Sequence, residues 1–173
     1  GVYYPSARHA RNPKKILLKL FESFLSRGGS FKKLNVNKVN FLSNDKLSIE
    51  TDSDSYNFDK MVIACGAFSK KLTDQAGEQI PLDTERGYHV HFKGHDHLLS
   101  RPVIFLNRGF GITPMEQGLR VVGTVEFGGL DNPPSKKRIT NLVNNAKYLF
   151  PELEKHEDEW LGFRPTLPDF LPC

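Results

Sequence analysis

Apolar residues recur at three- and four-residue spacing in two segments, a pattern that is typical of helices with one apolar face. The first segment begins at Pro13, with Asn12 as a capping residue, and ends at Gly28-Gly29. The second runs from Ser135 to Phe150 and is followed by Pro151, which cannot continue a helix. We therefore predict two amphipathic helices.

Between these helices, several short runs have the length and composition of β-strands bounded by turns. Three of them cover residues 31–41, 47–51 and 56–58. The turn sequence Ser43-Asn44-Asp45 joins the first two runs. Residues 61–67 are continuously apolar instead, as in a strand that is covered on both faces inside a parallel sheet. We expect this strand to be buried, with Cys65 as a reduced core residue.

From Pro81 onward, short strands alternate with Gly, Pro, Asn and Asp, which is typical of an antiparallel sheet. The predicted strands cover residues 86–93, 103–106, 109–114 and 119–126. We expect an α+β (mixed α/β) fold that joins a partial α/β domain to an antiparallel sheet domain with flanking helices. The predicted division is residues 1–80 for the first domain, 81–160 for the second and 161–173 for a returning segment.

Charge and composition argue against several classes of protein. Lys and Arg number 24 against 20 Asp and Glu, and the basic clusters are short and far apart, so we expect no nucleic-acid partner. No apolar stretch approaches the roughly 20 residues needed to span a bilayer. Cys65 and Cys173 give no disulfide framework. These features predict a soluble protein in the cytoplasm.

The end of the apolar run at residues 61–67 is a candidate ligand site. Ala64, Cys65 and Gly66 are small or flexible residues that let backbone approach a ligand at the carboxyl end of a strand. A tight turn without any ligand is the alternative.

A second candidate is the strand that contains Arg86, Tyr88, His89 and His91. Alternation places Arg86 and Tyr88 on one face, where they could hold a carboxylate, and the two histidines on the other. Histidines at this spacing are compatible with a metal site, but no cysteine or carboxylate cluster completes one. We therefore predict no metal.

A third candidate is Arg164, in the segment Gly-Phe-Arg-Pro-Thr-Leu-Pro-Asp of residues 162–169. Neighbouring prolines and aromatic residues hold this arginine rigidly on an extended segment. A rigid, planar guanidinium suits bidentate recognition of a carboxylate. An exposed arginine in a proline-rich loop is the alternative.

Together these motifs resemble the D-amino-acid oxidase superfamily of FAD-dependent oxidoreductases, and within it most nearly the bacterial D-amino-acid dehydrogenases (small subunit). The matching segments, in order, are residues 64–69, 85–89, 118–130 and 160–172. The resemblance extends over almost the whole chain, from the helix at Pro13 onward. Its most specific parts are the Arg-Gly-Tyr-His element and the segment around Arg164.

The family anchors the FAD pyrophosphate on a Gly-x-Gly-x-x-Gly turn in an N-terminal βαβ unit. This sequence contains no such motif. We therefore expect a truncated chain that alone binds FAD weakly or not at all and is inactive. An exposed half-domain also favours self-association through its uncovered apolar residues.

The resemblance implies roles for particular residues. It places four residues along FAD: Val36, Ala64, Cys65 and Gly66. It makes Arg164 the clamp of the substrate carboxylate and Tyr88 a second substrate contact, with His89 beside it.

The implied reaction is hydride transfer from a D-amino acid to the flavin, which yields a 2-oxo acid and ammonia. In the dehydrogenase branch, electrons pass to a quinone or another carrier, which implies a location at the inner face of the cytoplasmic membrane. One alternative is a glycine- or sarcosine-type secondary-amine oxidase of the same fold. Another is a non-catalytic binding module.

Overall fold

The computed structural model describes residues 1–42 and 46–171 and confirms an α+β fold with antiparallel sheets. The helices are α1 (Pro13–Ser26), α2 (Lys70–Gln75) and α3 (Lys136–Leu149). The strands are β1 (Val36–Phe41), β2 (Leu47–Thr51), β3 (Ser55–Phe58), β4 (Asp83–Lys93), β5 (Val103–Phe105), β6 (Phe110–Met115), β7 (Gly118–Glu126) and β8 (Glu157–Thr166). Short 3-10 turns lie at Gly66–Phe68, Asp96–Leu98 and Leu106–Arg108.

Helix α1 begins and ends as its sequence predicts. The Asn12 side chain accepts a hydrogen bond from the backbone N–H of Lys15 at 3.0 Å, and Pro13 occupies the first turn. Gly28 then takes a left-handed φ of 88°, and Gly29 donates to the carbonyl of Phe24. None of the residues of α1 is buried, so its apolar face is exposed.

Strands β1, β2 and β3 form a three-stranded antiparallel sheet in that order. Val39 and Leu47 are its buried apolar residues. Helix α2 contacts β1 through Gln75, whose side chain accepts from the Val39 N–H at 2.8 Å and donates to the Asn37 carbonyl at 3.2 Å. The side-chain amide of Gln75 therefore bonds the backbone of β1 as a neighbouring strand would, and this holds α2 against the sheet.

The second sheet has five strands in the order β5-β6-β7-β4-β8. Helix α3 packs on it and supplies Ile139, Leu142 and Ala146 to the core. The sheet supplies the apolar residues Tyr88, Val90, Phe92, Phe110, Ile112, Leu119 and Val121, all exposed by 3% or less. Alternation along β4 places Tyr88, Val90 and Phe92 on one face, as predicted, and the structure shows that this face packs in the core with α3.

Contacts divide the chain into two compact units. Unit 1 contains Gly1–Gly29, Arg86–Glu126 and Asn132–Gly162, and unit 2 contains Ser30–Glu85, Phe127–Asp131 and Phe163–Cys173. The division of the sequence into domains that begin at residues 1 and 81 and a returning segment that begins at residue 161 stays a prediction.

The prediction of a buried strand at residues 61–67 is wrong. Residues 61–65 belong to no strand, Val62 is 88% exposed, and Cys65 is an exposed free thiol. Gly66 takes a left-handed φ of 56° and starts a 3-10 turn, a conformation that an extended strand cannot contain. Strand β1 also begins at Val36 rather than at residue 31. The turn predicted at residues 43–45 lies outside the described residues.

No helix within the described ranges is both long and apolar enough to cross a membrane.

We expect Leu142→Ala to lower the free energy of unfolding by about 2–5 kcal/mol, because Leu142 is 1% exposed and its truncation leaves a cavity under the second sheet. Denaturant unfolding measures this change. The matched control is Asn141→Ala, an exposed position on the same helix, which should change stability by less than about 0.5 kcal/mol. Equal effects of the two substitutions would contradict the packing of α3.

Candidate functional site

Arg164 lies in unit 2, on β8, and is paired with a carboxylate that the sequence did not reveal. Its Nη1 donates to Oε2 of Glu85 at 2.9 Å. The Arg164 side chain is 64% exposed, whereas that of Glu85 is 10% exposed. In the Arg164–Glu85 pair, the guanidinium is therefore accessible to solvent, whereas the carboxylate is nearly buried.

Glu85 also lines a cavity of about 220 Å³ in unit 2. The other lining residues are Pro81, Asp83, Thr84, Phe127, Thr166, Leu167, Pro168 and Phe170. Among the described residues, the buried hydroxyl of Thr84 finds no hydrogen-bond partner. A buried hydroxyl without a partner costs free energy. The cavity itself combines apolar walls with the carboxylate of Glu85.

The four residues predicted to contact FAD all lie in unit 2. Val36 is the first residue of β1 and is partly exposed, while Ala64, Cys65 and Gly66 are exposed. A Cβ built on Gly66 would meet nothing within 4 Å, so open space adjoins its backbone. These residues leave backbone and apolar surface accessible to a flat cofactor, and in that respect they fit FAD.

In unit 1, the face of β4 that carries Arg86 and Tyr88 holds a carboxylate, and it is the chain's own Glu126. The Tyr88 hydroxyl donates to Oε2 of Glu126 at 2.5 Å, and Nε of Arg86 lies 3.3 Å from the same oxygen. Nε of Arg138 lies 3.4 Å from Oε1. The backbone N–H of Ser135, at the start of α3, donates to the Tyr88 oxygen at 3.0 Å. We call these residues the Glu126 cluster.

A β-bulge in β7 turns Glu126 toward this cluster. Gly87 pairs with Val125 but Tyr88 pairs with Gly123, so Thr124 is an extra residue, and it takes a left-handed φ of 58°. Without the extra residue, strict alternation would place Val125 opposite Arg86 and turn Glu126 to the other face. The bulge is therefore what brings Glu126 to Arg86.

Arg86 is 1% exposed, so its charge needs a counterion inside the protein. The hydrogen bond from Tyr88, together with the charges of Arg86 and Arg138, lowers the pKa of Glu126 against the opposing effect of burial. Tyr88 is also 1% exposed, and its hydroxyl is engaged by Glu126 and Ser135. Its only O–H is therefore used for Glu126, and its burial would have to be relieved before a substrate could contact it.

The opposite face of the same sheet carries His89 and His91, as alternation predicts. The His89 ring stacks on Trp160 at a centroid distance of 4.7 Å and meets the His91 ring edge-on at 4.9 Å. Nε of Arg120 donates to Nε2 of His91 at 3.2 Å. We call these four residues the His89 face.

Both imidazoles on the His89 face are held neutral. Burial, followed by the charge of Arg120 and the neighbouring His91, lowers the pKa of His89 to about 4. Burial and the charge of Arg120 also lower the pKa of His91. Within residues 1–42 and 46–171, no three His, Cys, Asp or Glu side chains form a group that could hold a metal ion.

Sequence reasoning singled out Arg164, Arg86 and the two histidines as candidates, but it did not identify the carboxylates that contact the two arginines. Glu126 lies in the strand predicted at residues 119–126, and Glu85 directly precedes the strand predicted at residues 86–93. An acidic residue in a half-buried strand is itself a signal. The choice of partner depends on pairing between strands that are distant in sequence, which a single sequence does not give.

Comparison with known proteins supplies a family. The model of the family described as FAD dependent oxidoreductase (DAO) matches residues 1–173. A D-amino-acid oxidase from Bradyrhizobium diazoefficiens is 30% identical over 178 residues, which cover 100% of this chain and 42% of that protein. A D-amino acid dehydrogenase from Vibrio vulnificus is 32% identical over 143 residues, which cover 80% of this chain and 34% of that protein.

Among solved structures, glycine oxidase from Geobacillus kaustophilus has a similar fold, with a TM-score of 0.73 and 25% sequence identity. The match covers 86% of this chain and 40% of that one. The chain thus spans about one third to two fifths of the length of these relatives.

We expect Glu126→Gln to lower the free energy of unfolding by about 1–3 kcal/mol at pH 7, because it leaves the charge of the buried Arg86 without a counterion. The pKa of Glu126 is lowered from 4.5, so its stabilising contribution is present above that pH and is lost as pH falls through the lowered value. Urea unfolding of both forms between pH 3 and pH 7 measures the difference. A gap between them that did not shrink on acidification would contradict the ion pairs.

Proposed function

Because the chain belongs to the DAO family of FAD-dependent oxidoreductases, we propose that it is part of an enzyme that oxidises D-amino acids to 2-oxo acids and ammonia. The single observation that carries this proposal is the Arg164–Glu85 pair beside the cavity in unit 2.

The two charges of this pair complement an amino acid. A free amino acid carries a carboxylate and an amino group on the same carbon. Arg164 uses Nη1 for Glu85, and its exposed guanidinium has other N–H donors for a substrate carboxylate. Glu85, at 10% exposure, lines the cavity and can accept a hydrogen bond from the amino group. Adjacent opposite charges therefore favour a substrate with adjacent opposite charges.

Four residues would hold the cofactor in this proposal: Val36, Ala64, Cys65 and Gly66. Their accessible backbone and apolar surface support that assignment. When bound, FAD supplies a two-electron oxidant that accepts the hydride of the substrate Cα–H.

The residues of this chain contribute binding and orientation. Arg164 fixes the carboxylate, and Glu85 fixes the amino group, which together set the direction of the Cα–H bond. Loss of the Cα hydride to this oxidant and of two protons from the ammonium nitrogen to water would give the neutral imine, and water would then hydrolyse the imine to the 2-oxo acid and ammonia. His89, whose pKa of about 4 keeps its imidazole neutral at neutral pH, is assigned no charge in this reaction.

A glycine- or sarcosine-type secondary-amine oxidase is the second candidate within the same family. It is supported by the likeness to a glycine oxidase structure and by the modest cavity of about 220 Å³. The Arg164–Glu85 pair suits any amino acid and does not discriminate between the two.

The D-amino acid dehydrogenase among the relatives supports a further element of the proposal. We propose that the electrons of this enzyme leave through a quinone or another carrier, and that the enzyme lies against the inner face of the cytoplasmic membrane.

In the intact enzyme, we expect Arg164→Gln to lower kcat/KM for D-alanine by about 10- to 100-fold, mainly through KM, because charge-assisted hydrogen bonds to the carboxylate are lost. Steady-state assays with an artificial electron acceptor measure this. Arg101→Gln, which removes an arginine that stacks over the Tyr3 ring, is the matched control and should leave both constants unchanged.

The same assay compares D-alanine, glycine and sarcosine as substrates. Turnover of D-alanine above the other two supports the D-amino acid assignment. Turnover of sarcosine alone would overturn that assignment in favour of the secondary-amine oxidase. An unaltered KM in Arg164→Gln would remove Arg164 from the substrate site.

We expect the 173-residue chain by itself to bind FAD weakly or not at all, because the sequence has no Gly-x-Gly-x-x-Gly turn to hold the pyrophosphate. Purification in the presence of FAD, followed by gel filtration and an absorbance spectrum, measures retention. A stoichiometric flavin band after gel filtration would contradict this expectation and the non-catalytic state that it implies.

A further inference from the structure

The His89 face contains a cation, Arg120, that forms no ion pair among the described residues. The Nε of Arg120 donates its hydrogen bond to His91, and the two terminal nitrogens are not used in this bond. Among the described residues, no carboxylate lies within 4.0 Å of the Arg120 guanidinium. Arg120 is only partly exposed, and burial lowers its pKa. A partly desolvated charge without a counterion favours the binding of an anion.

The two histidines are donors rather than competing cations. Because Nε2 of His91 accepts a hydrogen bond from Arg120, the proton of this neutral ring is on Nδ1. His89, with a pKa of about 4, is also neutral at pH 7. Arg120 is therefore the positive charge of this face.

The other charged groups near the His89 face determine which net charge of a ligand fits best. Asp158 raises and Lys93 lowers the pKa of His91, so both charges act on this face. Lys93 is already paired with Glu157. With one unpaired guanidinium and the negative charge of Asp158 nearby, a monoanion fits better than a dianion.

Trp160 adds an apolar surface to the His89 face. Its ring lies over Gly162, where a built Cβ would come within 1.8 Å of the indole. The absence of a side chain at Gly162 is thus what lets the indole lie flat against His89. Even so, Trp160 is 53% exposed, so part of its area is available to a ligand.

We propose that the His89 face binds a monocarboxylate, with the carboxylate on the terminal nitrogens of Arg120 and an apolar part along the stacked His89 and Trp160 rings. The fork of the guanidinium matches a carboxylate in bidentate geometry. This site uses none of the residues assigned to substrate or FAD in the proposed reaction, apart from His89.

The experiment is an NMR titration of the 173-residue chain with benzoate, acetate and inorganic phosphate at constant ionic strength and pH 7. His89→Gln and His91→Gln assign the imidazole C–H signals among the six histidines. We expect saturable shifts of both signals, tighter binding of benzoate than of acetate, and weaker binding of phosphate than of benzoate. Bound anion should also raise the pKa of His89, since a negative charge favours the imidazolium.

Two variants test the assignment. Arg120→Gln should weaken benzoate and acetate about tenfold or more, whereas Arg101→Gln should leave both unchanged. Gly162→Ala must displace the indole and should weaken benzoate severalfold while acetate is unaffected. Thermal unfolding checks that each variant is folded, and if Arg120→Gln is not, the Gly162→Ala comparison decides.

Equal benzoate affinity in the wild type and in folded Arg120→Gln would overturn the proposal. So would an absence of saturation, a preference for phosphate, or equal weakening of benzoate and acetate by Gly162→Ala.

Discussion

The burial of Arg86 is the constraint on which the second sheet depends. A guanidinium at 1% exposure is tolerated only with a counterion and hydrogen bonds, and Glu126 and the Pro133 carbonyl supply them. Tyr88 then links the same carboxylate to the first residues of α3 through Ser135. The ionised carboxylate of Glu126 therefore both neutralises Arg86 and, through Tyr88, holds α3 in position on the sheet. Removing either partner leaves a desolvated charge in the core.

Compensation of charge also distinguishes the two exposed arginine sites. Arg164 has an internal carboxylate in Glu85, so an amino acid would meet a balanced pair of charges. Among the described residues Arg120 forms no ion pair, and its hydrogen-bond partner is the neutral His91, with Asp158 the nearby negative charge. The first arrangement favours zwitterions and the second favours simple anions, although both use the same functional group.

Much of the fold could be predicted because periodicity and end signals agree. Asn12 and Pro13 define the start of α1, and alternation in residues 86–93 gives the correct faces of β4. The bulge at Thr124 could not be predicted, because it exists only relative to the register of the partner strand. The prediction of a strand at residues 61–67 was wrong for a related reason. An apolar run becomes a strand only when neighbouring strands pair with it. Arg164 became a candidate through motif and family resemblance, whereas its contact with Glu85 could be seen only in the tertiary structure.

Gln75 has a consequence for the behaviour of the chain in solution. Its amide imitates a peptide group and occupies hydrogen-bonding positions of Val39 and Asn37 along the outer side of β1. An open strand edge is a template on which another molecule can extend the sheet. Helix α2 therefore acts as a cap against such growth, and a side chain at position 75 that cannot mimic the backbone would leave a nucleus for aggregation.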